Sequence, residues 1–172
     1  MIHDLDIILK IVDAEVTSIH ASGISIVSNT PDISNVRLEF ANGCVANITA
    51  SRMSLKNMRK LRLFQKDAYM SIDFLEKKSE IIRLYEKDSP NLPKEANFIE
   101  LDTFEGSKLL HIDMPDIASV NAIKMELETF ANAIINNETP YVTLEDGYNA
   151  LKLAHQIIED IQKRRDSLIP VA

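Results

Sequence analysis

A single cysteine, Cys44, stands in the 172 residues, so no intrachain disulfide can form. That economy fits a reducing cytoplasm. Glycine is scarce as well, with four in the chain and none in a Gly-rich phosphate loop, so the dinucleotide-binding fingerprint is missing. No apolar run approaches the ~20 residues of a membrane span. No basic stretch followed by a long apolar segment opens the chain, so no signal peptide is expected. Basic residues are outnumbered 19 to 26 by acidic ones, and the net charge is −7. Phosphate backbones and anionic membranes need clustered Lys and Arg, so neither nucleic acid nor a membrane is an expected partner. The nearest thing to a basic patch, Lys56 to Arg62, alternates like a strand with one polar face.

What is present is an ordinary globular composition, 45% hydrophobic and 26% charged. The length suits one domain, spanning residues 1–172. Leu5, Ile8, Leu9 and Val12 recur at helical spacing, so the chain opens on a helix. Residues 13–26 are rich in β-branched side chains and read as a strand, and Pro31 marks a turn over 29–32. Val36, Leu38 and Phe40 alternate with Arg37 and Glu39. Asn42-Gly43 and Val45 to Ala50 follow, which together predict a β-hairpin. Arg59 to Phe64 is a further strand, Tyr69 to Leu75 and Glu80 to Tyr85 form a second hairpin, and Phe98 to Leu101 reads as one more strand. Residues 86–97 read as a surface loop.

The last third changes period. Val120, Ile123, Leu127, Phe130 and Ile134 describe an amphipathic helix that ends by Pro140. Thr143 and Asp146 then form a capping-box pattern before a final helix carrying Leu144, Tyr148, Leu151, Ile158 and Ile161. The fold class is α+β: an antiparallel-rich mixed β-sheet with helices packed on one face. Ile72 and Phe74 suggest that the other face is partly apolar, which leaves it available for oligomerisation.

Among titratable groups, His3, Asp4 and Asp6 open the first helix, where carboxylates suit the positive end of the dipole. Neighbouring helical positions diverge, so the three do not form a metal site. Arg52 follows the first hairpin and suits a substrate phosphate or a partner's carboxylate. His20 in a strand, His111 in a loop and His155 on a helix are read as structural. Cys44 and Met53, Met58 and Met70 are read as packing residues.

Four segments resemble one family. MIHDLDIIL resembles the motif opening the C-terminal domain of the Gfo/Idh/MocA oxidoreductases, the glucose–fructose oxidoreductase and inositol dehydrogenase group. DISNVRLEFANGCVANITASRMS, RKLRLFQKDAYMSIDFL and LEDGYNALKLAHQIIEDI follow in the family's order. The resemblance implies a two-domain parent whose N-terminal Rossmann domain, with its catalytic lysine, binds NAD or NADP. This chain would supply the substrate pocket and the oligomerising sheet. It implies that His3 is catalytic, beside the hydroxyl of a sugar, nucleotide sugar or polyol, where a neutral imidazole suits proton transfer. Asp4 and Arg52 would bind substrate. No cofactor is expected to bind this chain alone, which is then inactive by itself, a fragment of its parent. The alternative is a stand-alone binding or assembly module that kept the fold without catalysis.

Overall fold

A computed structural model describes residues 1–90, 92–93, 97–104, 106–118 and 120–168. Its contacts divide the chain into two compact units, residues 1–55 with 123 onward, and residues 56–122.

The first unit is a three-stranded antiparallel sheet with helices on one face. Its elements are α1 (Ile2–Ile11), β1 (Val16–Ile24), β2 (Ile33–Phe40), β3 (Val45–Ser51), α2 (Ala122–Asn136) and α3 (Leu144–Leu168), and the strand order is β1-β2-β3. Cross-strand register aligns Ile19, Leu38 and Ala46, and next to them Ala21, Val36 and Ile48. Because strand side chains alternate, these rows share one face. That face meets Leu5 and Ile8 of α1 and Leu153, Ile157 and Ile161 of α3 in one buried cluster. The helical residues sit three, four and eight apart, so each helix presents one stripe. The opposite face carries the rows His20–Arg37–Asn47 and Ser22–Asn35–Thr49. It is polar, and the apolar open face expected from the sequence belongs to the other sheet.

Local signals act as the residues dictate. Gly43, at φ 82°, lets the chain reverse between β2 and β3, and the Asn42 side chain accepts the Cys44 N–H at 3.0 Å. Thr143 caps α3: its hydroxyl accepts the Asp146 N–H at 3.1 Å, while the Asp146 carboxylate accepts the Thr143 N–H at 2.8 Å. Helix α2 closes on Asn137, at φ 54°, with the Glu138 N–H returning to the Ala133 carbonyl at 2.8 Å. The stripe of α2 does not enter the core, however. Only its Ala133 is buried, and Ile123, Leu127, Phe130 and Ile134 are exposed.

Helix α3 also covers the free edge of β1. The Asp160 carboxylate accepts the Ala21 N–H at 2.7 Å, and Arg164 bridges Asp160 to His20 at 2.8 and 3.0 Å.

The second unit is a five-stranded antiparallel sheet: β4 (Lys60–Phe64), β5 (Ala68–Asp73), β6 (Lys78–Glu86), β7 (Phe98–Thr103) and β8 (Gly106–Asp113), in the order β4-β5-β6-β8-β7. Strand β8 was not expected, and it places His111 in a strand rather than a loop. There the imidazole stacks at 5.7 Å from the Phe98 ring, itself 6.0 Å from Tyr85. The strand was hidden because Leu109 and Leu110 are adjacent and break the alternation. Among the described residues, none of the buried apolar side chains lies in this sheet. Register puts Phe64, Tyr69, Ile82 and Ile112 in one row, and Leu63, Met70 and Ile81 in the next, so both faces are partly apolar. Every strand pairing in the described residues is antiparallel, and the α+β class stands.

One loop of the first unit is held by a single side chain. Asp32 is the buried charged residue among the described ones, at 2% exposure. Its Oδ2 accepts the N–H groups of Ile26, Val27 and Ser28 at 2.7, 2.8 and 3.2 Å, and its Oδ1 accepts the Ser28 hydroxyl at 2.9 Å. The backbone N–H groups of Ile26 and Val27 hold the carboxyl well below the usual carboxylate range, and Ser28 adds to this against the opposing effect of burial.

Two outcomes follow from this packing. A Cβ on Gly23 would lie 3.0 Å from the Pro31 Cβ and 3.1 Å from the Ile161 Cγ2. Gly23→Ala should therefore lower stability by about 1–3 kcal/mol, as overpacking does. An unchanged urea midpoint would contradict that close approach. The stability contributed by Asp32 should be complete above the ordinary carboxylate pKa of ~4 and lost as the pH falls below it, because its folded pKa is depressed. Asp32→Asn should lower Tm at pH 7, and its gap to the parent chain should narrow in acid. A gap that stays constant from neutral pH down to pH ~2 would show that the ionised form is not what stabilises the loop.

Candidate substrate site

The start of α1 lies against the start of β2, the end of the three-stranded sheet at which β3 finishes. The Met1 sulfur lies 4.0 Å from the Ser34 hydroxyl at the start of β2. Ser34 pairs with Ala50, and the Asp32 carbonyl accepts the Arg52 N–H at 2.9 Å. His3, Asp4 and Arg52 are thus carried to the same end of the first unit, by a helix whose Leu5 and Ile8 are buried and by a strand whose Ile48 is buried.

Each residue presents itself differently. His3 is exposed on the first turn of α1, and no partner of its side chain is found among the described residues. Its ring nitrogens are therefore open to a ligand hydroxyl, as proton transfer requires. Asp4 is half-buried and lies 3.2 Å from the N-terminal ammonium. Arg52 lies with its Nε 3.6 Å from the Asp32 Oδ1, and its side chain is 59% exposed. By type, a carboxylate can bind a polar ligand, an imidazole can take a proton and a guanidinium can hold an anion, and His3 stands on the exposed side of α1, away from the buried Leu5 and Ile8.

Asp6 points elsewhere, into a groove of about 430 Å³ between α1 and α3 that is also lined by Lys10, Asp13, Glu15 and Asp146. Lys10 bridges to Asp146 there at 3.4 Å, and the Thr143 N–H and hydroxyl, then Lys10, hold the Asp146 carboxyl below the usual range. No three His, Cys, Asp or Glu side chains among the described residues converge to hold a metal ion.

The residues read as structural divide. His20 is exposed on the polar sheet face and bonded to Ser18 and Arg164 at 3.1 and 3.0 Å, and His155 is exposed on α3. Cys44 packs on the buried cluster. Met70 is half-buried in β5, but Met53 and Met58 lie outside the strands and are exposed, so they do not pack a sheet. Asp32 was missed, having been read only as part of a turn. Its bonds reach back four to six residues, beyond the short Asx pattern that a turn-forming aspartate advertises. Pro31 directly before it was the available signal.

Comparison with known proteins identifies the fold and its setting. The profile of the oxidoreductase family's C-terminal alpha/beta domain matches residues 1–171. The UDP-N-acetylglucosamine 3-dehydrogenase of Acidithiobacillus ferrooxidans is 29% identical over 157 residues, which are 91% of this chain and 45% of that protein. A solved structure of that dehydrogenase superposes with a TM-score of 0.77 at 27% identity, covering 95% of this chain and 46% of its own. A levoglucosan dehydrogenase, solved with NADH and levoglucosan, shares the fold with a TM-score of 0.70 at 16% identity, over 95% of this chain and 47% of its own. The chain therefore spans about half the length of the relatives it matches. It belongs to the Gfo/Idh/MocA oxidoreductases and carries their C-terminal alpha/beta domain.

Proposed function

We propose that this chain is the substrate-binding and oligomerising half of an NAD(P)-dependent oxidoreductase that acts on a hydroxyl of a nucleotide sugar. The observation that carries this reading is the 29% identity to a UDP-N-acetylglucosamine 3-dehydrogenase over 91% of this chain, with His3 exposed on α1 and Arg52 exposed beyond β3. His3 takes the proton of the substrate hydroxyl as its carbon is oxidised. Asp4 lies on the same helix turn and contacts the polar ligand, and Arg52 holds its anionic part.

The residues present do not fit a dinucleotide. Gly23, Gly43, Gly106 and Gly147 lie far apart, and none opens a Gly-rich turn between a strand and a helix. NAD or NADP would be held outside these residues and would accept the hydride, and the chain alone would be inactive. The setting is a reducing cytoplasm, where Cys44 remains a thiol. Among the described residues no helix is long and apolar enough to cross a membrane.

The apolar row Phe64, Tyr69, Ile82 and Ile112 of the five-stranded sheet is the face on which a second copy would pack. An antiparallel sheet can leave one face to water, but a sheet apolar on both faces needs cover.

Joined to the first half of the Acidithiobacillus enzyme, the chain should oxidise UDP-N-acetylglucosamine with reduction of NAD or NADP. His3→Ala should then lower kcat by about 10²–10⁴-fold, the usual contribution of a general base. Equal rates with and without the imidazole would refute the catalytic role. A chain that self-associates and never supports turnover would favour the assembly module. In sedimentation, the chain should be dimeric or larger, and the paired change Phe64→Asp and Ile112→Asp should release monomers with unchanged helix content. Monomers at every concentration of the parent chain would remove the sheet from the assembly.

A further inference from the structure

We propose that Asp32 is a positioning residue that presents Arg52 as a fork for the diphosphate of a nucleotide-linked sugar. This rests on the substrate reading above and adds a residue to it. Asp32 and Arg52 are joined twice. The Asp32 carbonyl accepts the Arg52 N–H at 2.9 Å, and the Asp32 Oδ1 faces the Arg52 Nε at 3.6 Å. The Asp32 side chain is wholly covered, and its oxygens are fixed by three backbone N–H groups and the Ser28 hydroxyl. A carboxylate so immobilised offers the guanidinium Nε a fixed charge at ion-pair distance.

Only the Nε side of the guanidinium faces this anchor. The two terminal nitrogens have no partner among the described residues, and the side chain is 59% exposed. Their N–H groups form the planar fork that matches two phosphate oxygens. A free surface arginine loses rotamer freedom when it grips an anion, and a tethered one has already lost it. The neutral hydroxyls of a sugar ring do not call for a guanidinium fork, whereas the diphosphate linking sugar to nucleoside does.

The test follows the arginine Nε–H signals of the chain by NMR. In the free chain the Arg52 signal should be as rigid as the backbone, and a mobile one overturns the positioning role outright. UDP, UDP-N-acetylglucosamine and inorganic pyrophosphate should each shift it saturably, N-acetylglucosamine should not, and Arg37 should stay still. Pyrophosphate binding without UDP binding would mean a free-anion site and would overturn the nucleotide-sugar assignment. Arg52→Gln should weaken UDP binding at least tenfold, and Arg52→Lys, which keeps the charge but not the fork, should weaken it several-fold. Equal affinity in Arg52→Gln overturns the proposal. Asp32→Asn should loosen the Arg52 signal and leave Arg37 unchanged; where that variant does not fold, the rigidity of Arg52 in the parent chain decides. If UDP-N-acetylglucosamine shifts His3 but not Arg52, the fork is wrong and the substrate reading survives. If it shifts neither, both fall.

Discussion

Everything in the first unit depends on one packing contact, the closure of α1 and α3 over a single face of three strands. Leu5 of α1, Leu38 of β2 and Ile157 of α3 are its largest fully buried side chains among the described residues. The hydrophobic effect has few other places to act, since among the described residues the buried apolar side chains all fall in this unit. A close-packed interior transmits position, so a helix start or strand end leaving this core is placed to within a rotamer. The proton transfer proposed for His3 needs that accuracy, because a displacement of about 1 Å can cost two orders of magnitude in rate.

The two sheets solve the problem of their second face differently. In the first, alternation sends His20, Ser22, Asn35, Arg37, Asn47 and Thr49 outward, a polar face whose members bond partly to one another and to neighbours, as Thr49 does to Asn35 and His20 to Arg164. In the second, apolar residues point both ways, and among its described residues no helix lies on either face. Helix α2 is a third case, since its stripe is well formed and yet exposed. An amphipathic period reports which side of a helix avoids water. It does not report whether the cover comes from the same polypeptide.

That distinction also separates what the sequence made legible from what it hid. The Asn-Gly reversal, the Thr143–Asp146 cap and the Asn137 stop are decided within a few residues, and pattern reading finds them. Strand β8 is held in place by β6 and β7 on either side, and its own side chains barely alternate. The candidate site divides in the same way. His3, Asp4 and Arg52 are candidates by their types and by a resemblance. Asp32 was not, because its role is to accept backbone N–H groups, which no side-chain pattern encodes. Met53 and Met58 show the converse error, since an apolar type was read as burial where the fold leaves it in water.

The carboxylate of Asp160 on the β1 edge has a consequence beyond local hydrogen bonding. An edge strand is a template, and its outward N–H groups are the points at which another chain begins a ladder. With the Ala21 N–H occupied and the Arg164 side chain folded across to His20, an incoming strand would meet a negative oxygen and a bulky cation where it needs an open row of donors. Growth of fibrillar aggregates from this side is thereby obstructed in the native state, and the obstruction lasts as long as the C-terminal half of α3 stays wound.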